Sequence, residues 1–166
     1  MSELGAHYDV GKFGRVFPAR LTTNTDITTG LRAICEAEGI KMGAVLFGIG
    51  STRKLTYRVL APKPETKLGA GYTDPTVLPG PIEVVSMHGT IWQSEKGELL
   101  MHLHGNFSDQ KGACFGGHIE PGGNPILATL DVIIAEITGT QMVRKMDEDV
   151  GMGLLTPPKF AKVKTA

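Results

Sequence analysis

The stretch from Leu99 to Glu120, LLMHLHGNFSDQKGACFGGHIE, holds three of the five histidines of the chain. Imidazole nitrogen ligates zinc and other first-row transition metals, so three imidazoles brought to one point would make a metal centre. His102 and His104 alternate within an apolar run, and alternate residues of a strand share a face roughly 6.5–7 Å apart. The third, His118, follows the pair Gly116-Gly117. Between them, Ser108-Asp109-Gln110-Lys111-Gly112 has the chemistry of a hairpin turn. Asp109 suits the first position of a type I turn, and Gly112 suits the αL position of a G1 bulge. With a loop of Gln110, Lys111 and Gly112, Asp109 pairs with Ala113 and His104 faces His118. A two-residue loop would pair His104 with Gly117 and turn His118 away, because a slip of one residue flips every side chain. The bulged turn therefore predicts His102, His104 and His118 on one face.

Three nitrogen ligands leave a fourth position for water or a substrate, as in catalytic zinc sites. The competing reading is three hydrogen-bonded interior histidines at a subunit interface; convergence of all three, together with the family resemblance given below, favours the metal. Catalysis would also require a base near the metal. Asp109, Glu120 and Glu83 are the nearest carboxylates in sequence, but Asp109 has a structural task in the turn and Glu83 reads as a sheet-edge charge. Asn106 and Ser108 alternate with the histidines and either orient a ligand or satisfy backbone groups. No residue is assigned a catalytic role. Cys114 is either a soft ligand or an inward-facing filler, and His88 and Trp92, sharing one strand face, read as packing residues. His7 reads as solvated. Gly48-Ile49-Gly50-Ser51 lacks both the Lys-Ser/Thr of a Walker loop and the third glycine of a dinucleotide fingerprint. Its glycines read as turn residues. Arg53, Lys54 and Arg58 read as a solvated basic face.

The elements that must position these residues follow from periodicity. Phe13 to Leu21 alternates as a strand, with Pro18 indicating an edge or a bulge. Asp26 suits a helix N-cap; Ile27, Leu31, Ile34 and Cys35 follow a helical period; Gly39 stands where a C′ glycine belongs. Gly43 to Ser51 reads as a buried strand and Arg53 to Leu60 as a half-exposed one. Ala61 to Pro81 reads as a long loop, Ile82 to Gln93 as a strand, and Glu95-Lys96-Gly97 as the turn into the histidine hairpin. Glu120 to Asn124 is a turn, Ile126 to Leu130 a helical turn or short strand, and Asp131 to Val143 a central strand. Lys145 to Asp149 is charged, Gly151 to Leu155 suits a last strand, and Lys159, Lys162 and Lys164 lie on an end expected to fray. This is a mostly antiparallel α+β domain with one main helix. Residues 1–12 form an N-terminal arm, expected to be loose, 13–145 the domain, and 146–166 a C-terminal extension.

Composition narrows the function classes. Seventeen basic and seventeen acidic side chains give a formal net charge of zero, a poor start for a nucleic-acid binder that must neutralise phosphates. No apolar run approaches a membrane span, and MSELGAHYDVGKFG has neither the basic region nor the apolar core of a signal peptide. Cys35 and Cys114 are too few for a disulfide framework and read as reduced, packed thiols in a cytoplasm.

Several of these segments together resemble one family. Arg20-Leu21, the helix from Asp26, Gly48-Ile49-Gly50-Ser51 and Glu83-Val84-Val85-Ser86-Met87-His88-Gly89-Thr90-Ile91 occur in order. They are followed by His102-Leu103-His104-Gly105-Asn106-Phe107-Ser108-Asp109 and Gly116-Gly117-His118-Ile119. The series, over roughly residues 13–143, resembles the PPC (plants and prokaryotes conserved) domain. The resemblance implies an α+β fold assembled as a homotrimer and, in stand-alone prokaryotic members, a bound metal, most simply zinc, at the histidine cluster. Arg20, Glu83, Asn106, Ser108 and Asp109 are the candidate residues of a ligand pocket there. Land-plant members carry an Arg-Gly-Arg-Pro AT-hook before the domain, a segment this sequence does not contain. Direct DNA binding, the label the family often carries, is thereby disfavoured. The functional expectation is a cytoplasmic homotrimer with a zinc site, acting as a ligand-binding, assembly or regulatory module. A zinc-dependent hydrolase with its metal in an inter-subunit pocket is one alternative, and a direct DNA-binding protein is the other.

Overall fold

A computed structural model describes residues 3–157 and 159–164. In chain order these form β1 (Glu3–Tyr8), β2 (Lys12–Thr22), α1 (Ile27–Ala37), β3 (Gly43–Arg58), β4 (Leu60–Pro62), β5 (Ala70–Tyr72) and β6 (Thr76–Ser94). There follow β7 (Leu99–Ser108), β8 (Cys114–Ile119), β9 (Ile126–Thr138), β10 (Val143–Asp147), β11 (Met152–Thr156) and β12 (Lys159–Lys164). The main sheet runs β11-β10-β6-β7-β8-β3-β9-β2, and a further β6–β3 pairing closes β6, β7, β8 and β3 into a ring. Every pairing in it is antiparallel except β10 with β6. The α+β architecture with one helix is the expected one, and Pro18 lies on the edge strand β2, where its missing N–H costs no ladder bond.

The inner face of the sheet and one stripe of α1 share a single apolar cluster. Ile27, Leu31 and Cys35 are fully buried, as are Val84, Phe107, Ile126, Leu130 and Ile134. Fully burying a side chain such as Leu31 contributes about 1.5–3 kcal/mol. The Asp26 side chain caps α1 by accepting from the Thr29 N–H at 3.1 Å. At the other end Gly39, at φ +66°, donates to the Glu36 carbonyl and Ile40 to that of Cys35, closing the last turn. The covered face of the sheet dictates the uncovered one. On β7, Leu103, Gly105 and Phe107 point in and are buried, so His102, His104 and Asn106 point out and are exposed.

A buried amide ties the helix start to the end of the histidine hairpin. Asn124 Oδ1 accepts from the Thr56 N–H at 2.7 Å, and its Nδ2 donates to the Glu120 carbonyl at 2.7 Å. Its own N–H donates to Asp26 Oδ2 at 2.8 Å while Asp26 Oδ1 caps α1. One carboxylate and one amide thus join α1, β3 and the β8–β9 turn.

Several expected boundaries move, each for a reason visible in the pairing. Gly43 to Ser51 and Arg53 to Leu60 belong mostly to one strand, β3, with bulges that absorb the irregular middle. Gly50 lies inside that strand, not in a turn. A Cβ there would sit 2.1 Å from the Thr129 carbonyl oxygen, so the close approach of β9 demands the glycine. The expected loop over Ala61 to Pro81 carries the β4–β5 hairpin and the first third of β6, where Val77 pairs with Thr56 and Leu78 with Leu55. Pro79 and Pro81, which read as loop residues, flank a bulge that tolerates their missing N–H groups. Ile126 to Thr138 is one strand because Asp131 falls on its outward face and interrupts nothing. The charged segment after Val143 is strand β10, held through Val143 to Gln93 and Arg144 to Ser94 of β6.

The arm and the tail, expected loose, pair with each other: β1 with β12, from Glu3–Lys164 to Tyr8–Lys159. Asp9 accepts from Thr140 Oγ1 at 2.6 Å and meets Lys159 Nζ at 2.9 Å beside that ribbon. Cys35 is buried as expected, but Cys114 is exposed, since its register with Ser108 places it on the outer side of the hairpin. Replacing Asn124 with Ala leaves the Thr56 N–H and the Glu120 carbonyl unpaired. We expect a loss of about 2–4 kcal/mol of folding free energy, measured by urea denaturation; a loss under about 0.5 kcal/mol would contradict the linking role.

Candidate metal centre

The turn between β7 and β8 sets the site. Asp109 Oδ1 accepts from the Lys111 N–H at 2.8 Å and from the Ala113 N–H at 3.0 Å. The Asp109 N–H donates to the Ala113 carbonyl at 3.1 Å, and Gly112 donates to the Asp109 carbonyl at 3.0 Å from a φ of +78°. That left-handed φ suits glycine and is the bulged turn the spacing predicts. The register follows: Ser108 faces Cys114, Asn106 faces Gly116, and His104 faces His118.

His102, His104 and His118 converge on the outer face. One ring nitrogen from each lies within 4.8 Å of the other two. His102 Nε2 and His104 Nε2 stand 2.9 Å apart. One of those two nitrogens must therefore carry a proton and the other a lone pair, or both must share a cation. The Nδ1 of His118 is buried and has no hydrogen-bond partner among the described residues. The Tyr72 ring, carried by the β4–β5 hairpin, lies 5.0 Å from the His118 ring, and Trp92 meets the His102 ring edge-on at 6.0 Å. These contacts restrict the tilt of two of the three imidazoles.

Burial, then mutual repulsion with His102 and His104, pushes His118 down to about 4. Burial also lowers His102, aided by His104 and the Arg144 guanidinium, and lowers His104, aided by His88. All three rings are neutral at neutral pH, the state in which imidazole ligates metal. The donor set fits a divalent transition metal of borderline softness. Imidazole suits zinc, copper, nickel and iron, whereas magnesium and calcium call for oxygen donors.

Of the three candidate carboxylates, Glu120 and Asp109 are committed. Glu120 receives Arg58 Nε at 2.5 Å and Arg58 Nη2 at 3.3 Å. Arg58, which faces His118 across β3 and β8, also donates to the Thr73 carbonyl at 3.2 Å. Asp109 is engaged in the turn, and Glu83, exposed on β6, faces Ser108 rather than a histidine. Asn106 lies beside His104 on the same face and donates through Nδ2 to Ser86 Oγ at 3.0 Å. Ser108 Oγ donates to the Asp109 carbonyl at 3.2 Å and belongs to the turn. Arg20 is not brought to the histidines: it faces Asp131 on the edge strand β2, at the far end of the sheet from β7.

Of four neighbours of the cluster, sequence reasoning took His88 and Trp92 for packing residues and did not single out Tyr72 or Arg144. His88 faces His104 across β6 and β7 and is exposed, while Trp92 is buried. Tyr72 sat in an apparent loop, and Arg144 fell between the expected central strand and the charged segment. Alternation along Ile82 to Gln93 was the one available signal, and it reached only His88 and Trp92. A cavity of about 470 Å³ lies elsewhere, lined by Lys41, Gln93, Glu95, Glu136 and Gln141 near the β9–β10 connection.

The depressed pKa values make stability depend on pH. Unfolded histidine takes up a proton near 6.5, while folded His118 resists to about 4. Between those values the unfolded chain binds more protons, so stability falls as pH drops from about 6.5 to about 4 and levels off below. Urea midpoints of metal-free protein at about pH 7.5 and about pH 5 should show this loss, and His118→Gln should reduce it. An equal loss in the variant would mean that His118 is not the group responsible.

The fold has relatives. A plant- and prokaryote-conserved protein of Pyrococcus horikoshii superposes with a TM-score of 0.77 at 22% identity, covering 92% of this chain and 98% of its own. A metal-containing protein of Archaeoglobus fulgidus superposes with a TM-score of 0.73 at 23% identity, covering 89% and 99%. A Bacteroides thetaiotaomicron protein, described as a candidate DNA-binding protein, reaches 0.69 at 21% identity, covering 89% and 97%. In sequence, 137 residues are 26% identical to the bifunctional protein GlmU of Synechococcus sp. strain JA-3-3Ab, a match covering 82% of this chain and 20% of that relative. This chain thus spans about a fifth of that curated relative's length. The model of the Plants and Prokaryotes Conserved (PCC) domain matches residues 8–138, most of the main sheet together with α1, and the chain belongs to that family.

Proposed function

We propose that this PPC domain holds one divalent transition metal, zinc foremost, on His102, His104 and His118. The convergence of three neutral imidazoles under a turn-defined register carries this reading. The buried, unpartnered Nδ1 of His118 supports it, as does the metal held by the Archaeoglobus protein of the same fold. Zinc bound there supplies a Lewis acid with a position open to a ligand. The chain's own residues orient that ligand more readily than they transform it. Glu120 is paired to Arg58 and Asp109 is bonded into the turn, so neither stands ready as a general base. Ligand binding, with an assembly or regulatory role, is therefore preferred to hydrolysis.

Self-association into a homotrimer belongs to the same reading. Leu46, Phe47 and Ile49 on β3 are 49%, 41% and 40% exposed, and Val85 on the adjacent β6 is 49% exposed. Side chains of this kind, close together on two paired strands, suit burial against another copy. Zero net charge speaks against DNA as the principal partner. Cys35 and Cys114 form no disulfide, consistent with a cytoplasmic site of action. No helix among the described residues is long and apolar enough to cross a membrane.

Elemental analysis of tag-free protein purified without added metal should find about one zinc per chain. His104→Ala should lower that content sharply with the circular dichroism spectrum retained; equal occupancy in the variant would refute the assignment. Light scattering should give three times the chain mass, and Ile49→Glu should reduce it toward the monomer. A monomeric parent protein would remove the trimer from the reading.

A further inference from the structure

The strand register brings an unpaired guanidinium to the histidine face. Arg144 of β10 lies beside Ser94 of β6. Ser94 and Thr90 alternate on one face of β6, and Thr90 faces His102 of β7. Cross-strand neighbours share a face, so Arg144 stands on the histidine side of the sheet. It is exposed, and its Nε donates to the Gly153 carbonyl at 3.2 Å, which anchors the stem. Among the described residues its two terminal nitrogens have no hydrogen-bond partner and the group has no carboxylate partner.

The charge balance of this face is one-sided. Arg58 at the opposite margin, facing His118, is neutralised by Glu120. The donor set is three imidazoles and no carboxylate joins it. A divalent cation on them would add two positive charges to that of Arg144, and Glu120, the carboxylate whose charge reaches His118, is already paired with Arg58. Asn106 and Thr90 add neutral polar groups beside the cluster. An arrangement of cation, guanidinium and neutral polar groups selects an oxyanion.

We propose that the histidine centre binds a small anionic ligand, carboxylate or phosphate in chemistry, with one oxyanion group held between the bound metal and Arg144. The inference rests on the metal reading above and names the ligand class for that same centre. Arg144 is a specificity-determining residue, and the metal supplies the common anchor.

The test uses full-length protein loaded with cobalt, whose visible absorption reports the ligand set directly. Cobalt content is measured first, and the protein is then titrated separately with malonate and with inorganic phosphate. At least one anion should shift the cobalt bands saturably, and the tighter of the two identifies carboxylate or phosphate chemistry. Arg144→Gln should raise the Kd of that anion about tenfold, the usual value of a charge-assisted contact, at unchanged cobalt content. Arg144→Lys should lie between. Lys54→Gln, which removes an exposed charge on another part of β3, should change the Kd by less than about twofold. Full cobalt loading with no spectral response, or with equal Kd in the parent and Arg144→Gln, overturns the anion proposal alone. Failure of the parent protein to load cobalt overturns the metal reading and this inference with it.

Discussion

One carboxylate oxygen holds the register on which the site depends. Asp109 Oδ1 takes the N–H groups of both Lys111 and Ala113, and with Gly112 in the left-handed region the chain reverses after three residues. Strand pairing has a period of two, so this local geometry decides which side of the sheet His118 occupies. A loop shorter by one residue would leave His118 on the apolar face among Leu103 and Phe107, and the cluster would keep two members. The interaction is short-range and strong in its consequences because every residue of β8 inherits its side from it.

The rest of the fold supports that hairpin from behind. In the ring of β6, β7, β8 and β3, β7 is held along its length by β6 and the His118 end of β8 by β3, which limits the freedom of the hairpin to slip. The Asn124 amide secures β8 at its far end, to Thr56 of β3 and through Asp26 to the start of α1. The helix in turn covers the inner face, so the outer face is the only place for the imidazoles. Apolar burial and site exposure are two consequences of one alternating pattern.

Crowding three imidazoles opposes stability. Their rings lie 4.8 to 5.4 Å apart between centroids, partly removed from water, and each resists protonation. A fold that keeps such a cluster without a paired carboxylate holds uncompensated lone pairs in reserve, and local instability concentrated at one place commonly marks function. Tyr72 and Trp92 limit ring motion, so a cation would meet donors already oriented. The arginines divide the electrostatic tasks at the margins: Arg58 is neutralised by Glu120, and Arg144 is not.

The residues alone determined the parts that depend on neighbours close in sequence. Asp26 and Gly39 mark the ends of α1, the Ile27-Leu31-Cys35 spacing marks its buried stripe, and Asp109 with Gly112 marks the turn that aligns His104 with His118. Only the tertiary structure decided the parts that depend on distant pairing. Nothing local to Val77 and Leu78, set between prolines, indicates a strand; β3 makes them one by supplying the partner and a bulge that admits Pro79 and Pro81. Nothing in the first residues or the lysine-bearing tail shows that β1 and β12 meet across more than 150 positions. The neighbours of the metal centre fall in the second class. Tyr72, Arg144 and Arg58 come from three other strands, and Arg20 is carried to the opposite end of the sheet. Turns and caps are written by bonds that span a few residues. A site wall is written by strand order, which no local pattern encodes.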